Sequence, residues 1–166
     1  MISTIGYEKA ELDSFVGTLQ QAGVEVLVDI RERAQSRRKG FSKTALAERL
    51  HKAGIEYIHY KELGDPKPGR EAARRGDMAS FRRIFNKVLE SEAAKKALIE
   101  ISSLVSNKSI CLMCYERNYK ECHRKIVSDH LDEYLGTKTR HLGVQGFEPI
   151  SEQQGRVLHS CESAAA

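Results

Sequence analysis

The sequence predicts an α/β domain in three layers, a mostly parallel sheet with helices on both faces. Short apolar, β-branched runs alternate with stretches of helical periodicity, and glycines punctuate the changeovers. No internal repeat and no strand-only region interrupts that alternation.

Residues 2–5 are short and β-branched and end at Gly6, which reads as a first strand. Phe15, Val16, Leu19 and Ala22 then recur at helical spacing until Gly23. Residues 24–30 are nearly continuously apolar, the pattern of a strand buried on both faces. Ser42 predicts the N-cap of a helix carrying Ala45, Leu46 and Leu50 and stopped at Gly54. Residues 55–60 predict a third strand. The stretch 62–77, with Gly64, Pro66, Pro68, Gly69 and Gly76, reads as a loop. Helical periodicity resumes from Met78 to about Leu104, broken near Ser91. Residues 109–115 predict a fourth strand, 122–135 a helix bearing Ile126, Val127 and Leu131, and 139–142 a short last strand.

The chain has 166 residues, enough for one domain with a sizeable core. We expect a single α/β domain over residues 1–142 and a loosely attached extension over 143–166. With 40% hydrophobic and 30% charged residues and only 3 prolines, collagen-like, Pro-rich and disordered classes are excluded. No run approaches the roughly 18 apolar residues of a spanning helix, so no membrane partner is expected. The net charge of +4 suits an anionic partner without requiring one. Three of the four cysteines, Cys111, Cys114 and Cys122, crowd together, and Cys161 stands apart. A disulfide scaffold spreads its cysteines more evenly, so reduced thiols and a cytoplasmic location are expected.

In a parallel α/β sheet, ligands bind beyond the carboxyl ends of the strands. Those ends carry polar and aromatic groups here: Gly6 and Tyr7, Asp29 and Arg31, His59 and Tyr60, and Cys114, Tyr115 and Glu116. After Asp29 the chain is rich in donors, with Arg31, Ser36 and Arg37 leading to Gly40 and Phe41. Arginine forks grip phosphate or carboxylate oxygens. The plainer reading is a solvated basic loop with an Asp29–Arg31 pair closing the strand. Tyr57, His59 and Tyr60 could stack on bases or simply finish the core edge. There is no Walker-type loop, and Gly6 alone is no dinucleotide fingerprint.

The strongest local signal is Cys111 and Cys114-Tyr115-Glu116, followed by Cys122-His123-Arg124. Strand alternation puts Cys111 and Cys114 on opposite faces, with Cys111 in the core. Cys114, Cys122, His123 and His141 would supply four zinc ligands, yet no metal or other cofactor is expected on balance. At a predicted helix start Cys122 gains an acidic thiol, with Cys114 as its supporting partner. Glu116 and His123 are suited to general acid–base work. A phosphatase loop fails, because no Gly-x-Arg pattern follows Cys114 at the needed distance.

Taken in order, the residues resemble the bacterial and archaeal DUF488 family. The resemblance rests on Thr4-Ile5-Gly6-Tyr7, Val28-Asp29-Ile30-Arg31, Ser36-Arg37 with Gly40-Phe41, and Ile55-Glu56-Tyr57 leading to Leu63-Gly64. It closes with Leu112-Met113-Cys114-Tyr115-Glu116, Cys122-His123-Arg124 and His141-Leu142. The resemblance implies a compact α/β domain with these residues grouped together and a link of some members to nucleic-acid metabolism.

The leading expectation is a hydrolase of nucleic acid or nucleotide, a DNA-repair glycosylase among the options. Asp29 or Glu116 would activate water and His123 or His59 handle a proton. Arg31, Arg37 and Arg124 would hold phosphate, while Gly6, Tyr7, Ser36, Tyr60, Cys114, Tyr115 and Cys122 line the substrate site. Two alternatives stand beside it: a non-catalytic module for an anionic ligand, DNA or RNA, and a thiol enzyme using Cys114 and Cys122. The sequence leaves the oligomeric state open.

Overall fold

The computed structural model describes residues 1–144. The expected extension falls, from residue 145 onward, outside the described residues.

Among the described residues, six α-helices and five strands follow in the order β1 (Ile2–Gly6), α1 (Leu12–Gln21), β2 (Val26–Asp29), α2 (Lys43–Lys52), β3 (Glu56–His59), α3 (Lys67–Arg74), α4 (Met78–Leu89), α5 (Glu92–Val105), β4 (Ile110–Cys114), α6 (His123–Leu135) and β5 (Arg140–Leu142). The five strands form one all-parallel sheet in the order β3-β2-β4-β1-β5. Ile2 pairs with Ile110 and Gly6 with Cys114, so the carboxyl ends of β1 and β4 finish level.

Alternation along the strands sorts the core into two layers. Ile2, Val26, Val28, Ile110 and Leu112 face α4, α5 and α6, whose Phe85, Ala97, Ile101, Val127 and Leu131 complete that side. Ile5, Leu27, Cys111 and Met113 face α1 and α2, meeting Phe15, Val16, Leu19, Leu46 and Leu50. The expected three-layer α/β fold is therefore the observed one. Cys111 lies in the core, fully buried and on the opposite face from Cys114.

This arrangement makes the site. The chain leaves β1 and β2 toward α1 and α2 on one face but leaves β4 toward α6 on the other. β4 lies between β1 and β2, so the connections part around its carboxyl end and open a crevice there.

One element departs from expectation. Within the stretch read as a loop, residues Lys67–Arg74 are helical. Pro68 falls in the first turn, where its fixed φ suits a helix and its missing N–H costs nothing. Gly69 packs so tightly on the Asp65 carboxylate that a Cβ there would collide with it. The break near Ser91 falls where expected, with Ser91 Oγ accepting from the Ala94 N–H as the N-cap of α5.

Candidate active site

Four loops meet over the carboxyl ends of β1, β2 and β4. Gly6 brings two of them into contact. A Cβ at this position would overlap the Glu116 carbonyl and crowd the Arg124 guanidinium, so only glycine lets the β1 and β4 ends approach so closely.

Beside this junction is a cleft of about 420 Å³. Its wall carries six arginines, Arg31, Arg33, Arg37, Arg38, Arg70 and Arg74, against the carboxylates Glu32, Asp65 and Glu116. Not all those arginines are free. Arg31 pairs with Asp29, Arg70 with Glu32, and Arg38 lies 3.5 Å from Glu11. Arg33, Arg37 and Arg74 are exposed and make no ion pair among the described residues.

Asp29 is fully buried. The Arg31 guanidinium donates to both its oxygens, at 2.6 to 3.1 Å, and the Tyr57 hydroxyl donates to Oδ2 at 2.6 Å. Arg31 spends its remaining donor on the Tyr7 hydroxyl, 2.9 Å, and the Phe41 carbonyl, 3.0 Å. Tyr7 in turn stacks on Phe41 and meets Tyr115 edge-on. Asp29, Arg31, Tyr7 and Tyr57 thus form a closed network that reaches the cleft wall through Arg31 and Tyr7, and burial, then the Asp29 carboxylate, raises the Tyr57 hydroxyl well above its usual range.

Other expected site residues are distributed unevenly. The cleft includes Ser36, whose Oγ accepts from the Arg38 N–H at 3.1 Å, along with Arg37, Cys114, Tyr115, Glu116 and His123. His59 lies apart, its Nε2 donating to the Arg31 carbonyl at 2.8 Å. Tyr60 packs against the α4–α5–α6 layer, and burial, then Glu100, pushes its hydroxyl up to about 12. Arg124 is buried under the cleft floor. It donates to the Glu116 and Arg117 carbonyls and to Cys114 Sγ, tying down the loop after β4.

At the floor the reactive side chains converge. Cys114, the last residue of β4, and Cys122, the N-cap of α6, bring their sulfurs to bonding distance, a disulfide pairing where the sequence predicts reduced thiols. Glu116 Oε2 lies 3.0 Å from Cys114 Sγ and 3.2 Å from Cys122 Sγ. His123 Nδ1 is 3.7 Å from Cys122 Sγ, and its Nε2 is 3.0 Å from the Ile30 carbonyl oxygen. Burial pushes the His123 imidazole below its ordinary value, so the ring is held neutral. His141 belongs elsewhere, bonded through Nδ1 to Thr4 Oγ1 at 2.8 Å and stacked on Tyr119.

Sequence reasoning missed Asp65, Arg70 and Arg74. Asp65 is buried at the cleft, with Oδ1 lacking a hydrogen-bond partner among the described residues. Burial pushes its carboxyl up to about 7, with Glu116 and Glu32 adding to the rise and Arg70 opposing it. The available signal was Asp-Pro ahead of Pro68-Gly69-Arg70, a helix start rather than a featureless loop.

Fold and site together define a class: a parallel α/β domain whose arginine-rich cleft sits over a cluster of thiols, carboxylate and imidazole. The chain belongs to the DUF488 family, described as Domain of unknown function DUF488, which matches residues 11–131. No curated protein and no solved structure matches the chain. The matched span includes Asp29, the cleft arginines, Glu116 and the Cys122-His123-Arg124 run, and leaves out Gly6 and His141.

Proposed function

We propose that this protein is a hydrolase of a nucleotide or nucleic acid, with cleavage of an N-glycosidic bond as the reaction that best suits its side chains. One observation carries the reading. Among the described residues, Glu116 and Asp65 both line the cleft without an arginine ion pair, facing a wall where Arg33, Arg37 and Arg74 have no carboxylate partner. Carboxylates open to a cleft serve proton transfer, and unpaired arginines beside them hold phosphate.

Water adds at the anomeric carbon as the base departs. Glu116 takes the proton from water. Asp65, whose carboxyl titrates near neutrality, returns a proton to the leaving base. Arg33, Arg37 and Arg74 neutralise the flanking phosphates, and the exposed Tyr115 ring offers a stacking surface for a base. Asp29 acts at one remove, holding Arg31 and through it Tyr7 in position. The cleft volume falls within the roughly 300–1,000 Å³ typical of small-ligand sites.

A second reading draws on the bonds from both sulfurs to Glu116, which make it a base for a thiol nucleophile. The experiment that separates them is cleavage of end-labelled duplexes carrying damaged, modified or mismatched bases, read with and without alkali. Strand breaks only after alkali, reduced on the order of 10²–10⁴-fold by Glu116→Gln and by Asp65→Asn, support the glycosidic reading. Loss of turnover on brief treatment with a thiol-alkylating reagent, with a substrate fragment recovered on Cys114 or Cys122, favours the second. Intact substrates throughout overturn the hydrolase.

A further inference from the structure

The floor of the cleft has features that neither proton transfer nor phosphate binding requires. The ligating atoms of Cys114, Glu116, Cys122 and His123 all lie within 4.8 Å of one another, and the two cysteines and the histidine are buried. We propose that Cys114 Sγ, Cys122 Sγ and His123 Nδ1 hold a zinc ion, with the fourth position open toward the cleft beside Glu116.

The tautomer of His123 is fixed by its surroundings. Its Nε2 faces the Ile30 carbonyl, which can only accept, so Nε2 carries the proton. Nδ1 is left with its lone pair on the side of Cys122 Sγ. A backbone carbonyl behind the distal ring nitrogen is the usual support for a metal-bound histidine.

Arg124 makes the same case for the sulfurs. It is only 1% exposed and forms no ion pair with a carboxylate side chain among the described residues. Besides two carbonyls, its contact is Cys114 Sγ at 2.9 Å. A buried guanidinium needs an anion nearby, and a Cys114 thiolate supplies it. Two thiolates together with the nearby Glu116 carboxylate then balance the divalent ion and the Arg124 guanidinium.

The spacing of the backbone argues for a shared ion over a disulfide. The Cα atoms of Cys114 and Cys122 are 7.8 Å apart, whereas bridged cysteines usually span roughly 4.4–6.8 Å. Two sulfurs bound to one zinc at about 2.3 Å each reach across a wider gap. Both cysteines stand on rigid supports, the end of β4 and the start of α6, as a preorganised site requires. Two cysteines, one histidine and an open position form a known catalytic zinc set. Here Cys114, Glu116 and His123 border the cleft, so the open position faces substrate. The inference deepens the hydrolase reading, because a zinc-bound water would lie where Glu116 can take its proton.

The test uses the full chain, purified under reductant and without chelator, with metal content measured by plasma mass spectrometry. Zinc close to one per chain is expected. Exchange of zinc for cobalt should give the near-ultraviolet thiolate charge-transfer band and the strong visible bands of tetrahedral cobalt. Cys114→Ser, Cys122→Ser and His123→Gln should each lose the charge-transfer signature or weaken zinc affinity at least tenfold, while Cys111→Ser keeps both. Glu116→Gln should retain the metal; its loss there, as complete as in the cysteine variants, overturns the three-ligand assignment. Because a variant can fail to fold, the wild-type thiols are also counted with a chromogenic disulfide reagent before and after chelation, and Cys114 and Cys122 should become reactive only once zinc is removed. Reduced wild-type protein that takes up neither zinc nor cobalt overturns the site. The two readings fail separately: zinc binding without cleavage sinks the hydrolase alone, and chelator-insensitive cleavage by protein that cannot bind zinc sinks the metal alone.

Discussion

Asp65 is a carboxyl group that burial keeps protonated to about pH 7, far above the range of an exposed aspartate. The folded state therefore binds a proton that the unfolded chain has already released. Stability from this residue is fully present below about pH 4 and is lost as pH rises through 7. Asp65→Asn should remove that slope, gaining stability relative to the wild type on the order of a few kcal/mol by pH 8. Urea unfolding of both proteins at pH 4.5, 6 and 8 measures the difference, and parallel curves would contradict it. The Asp29 carboxylate holds Arg31, both buried, and accepts from the half-buried Tyr57, so Asp29→Ala should cost about 3–5 kcal/mol in the same assay. Adjacency in sequence made the Asp29–Arg31 pair readable, as alternation did for Cys111. Asp65 was not readable, because its chemistry comes from burial by segments far along the chain, and no local pattern encodes that.

At the scale of elements, Gly6 shows how a single missing Cβ controls two loops. Gly6→Ala should lower the urea midpoint and loosen the β4 loop, because the Glu116 carbonyl occupies the space the methyl needs. Gly143→Ala, with open space around it, should leave the midpoint unchanged. The strands and most helices were legible because each carries its own period, two or 3.6 residues. α3 was hidden by composition. Pro68 and Gly69 ordinarily mark turns, but here one starts the helix and the other admits the Asp65 carboxylate. With α3 misread as a loop, Arg70 and Arg74 had no reason to be placed near Arg33 and Arg37. Conversely, Tyr60 and His59 carry the right side chains at a strand end yet turn to the core and to a carbonyl. Strand-end position alone does not say which way a side chain points.

For the whole molecule, the net charge is only +4, but one cleft gathers Arg33, Arg37 and Arg74, which make no ion pair among the described residues. Binding of duplex DNA, measured by fluorescence anisotropy, should therefore weaken steeply with salt, with a log–log slope of about −0.9 for each phosphate neutralised. Alanine in place of Arg33, Arg37 or Arg74 should each reduce that slope by about one. Alanine in place of Arg82, away from that cleft, should leave it unaltered. No helix among the described residues is long and apolar enough to cross a membrane.

The pairing of β1 with β4 has a consequence for how the protein is born. β1 is made first, but its neighbours in the sheet, β4 and β5, begin at Ile110 and Arg140. At roughly 5–20 residues per second, a ribosome needs about 5–20 s to deliver β4 after β1. Throughout that interval the nascent β1 has two unpaired edges and an apolar Ile2 and Ile5, and the Gly6–Glu116 junction has no second half. Every catalytic and ligating group proposed here depends on that late closure. A chain stalled before Ile110 would carry all six cleft arginines and none of the floor, so a positively charged wall exists before the thiol and carboxylate cluster that completes the site.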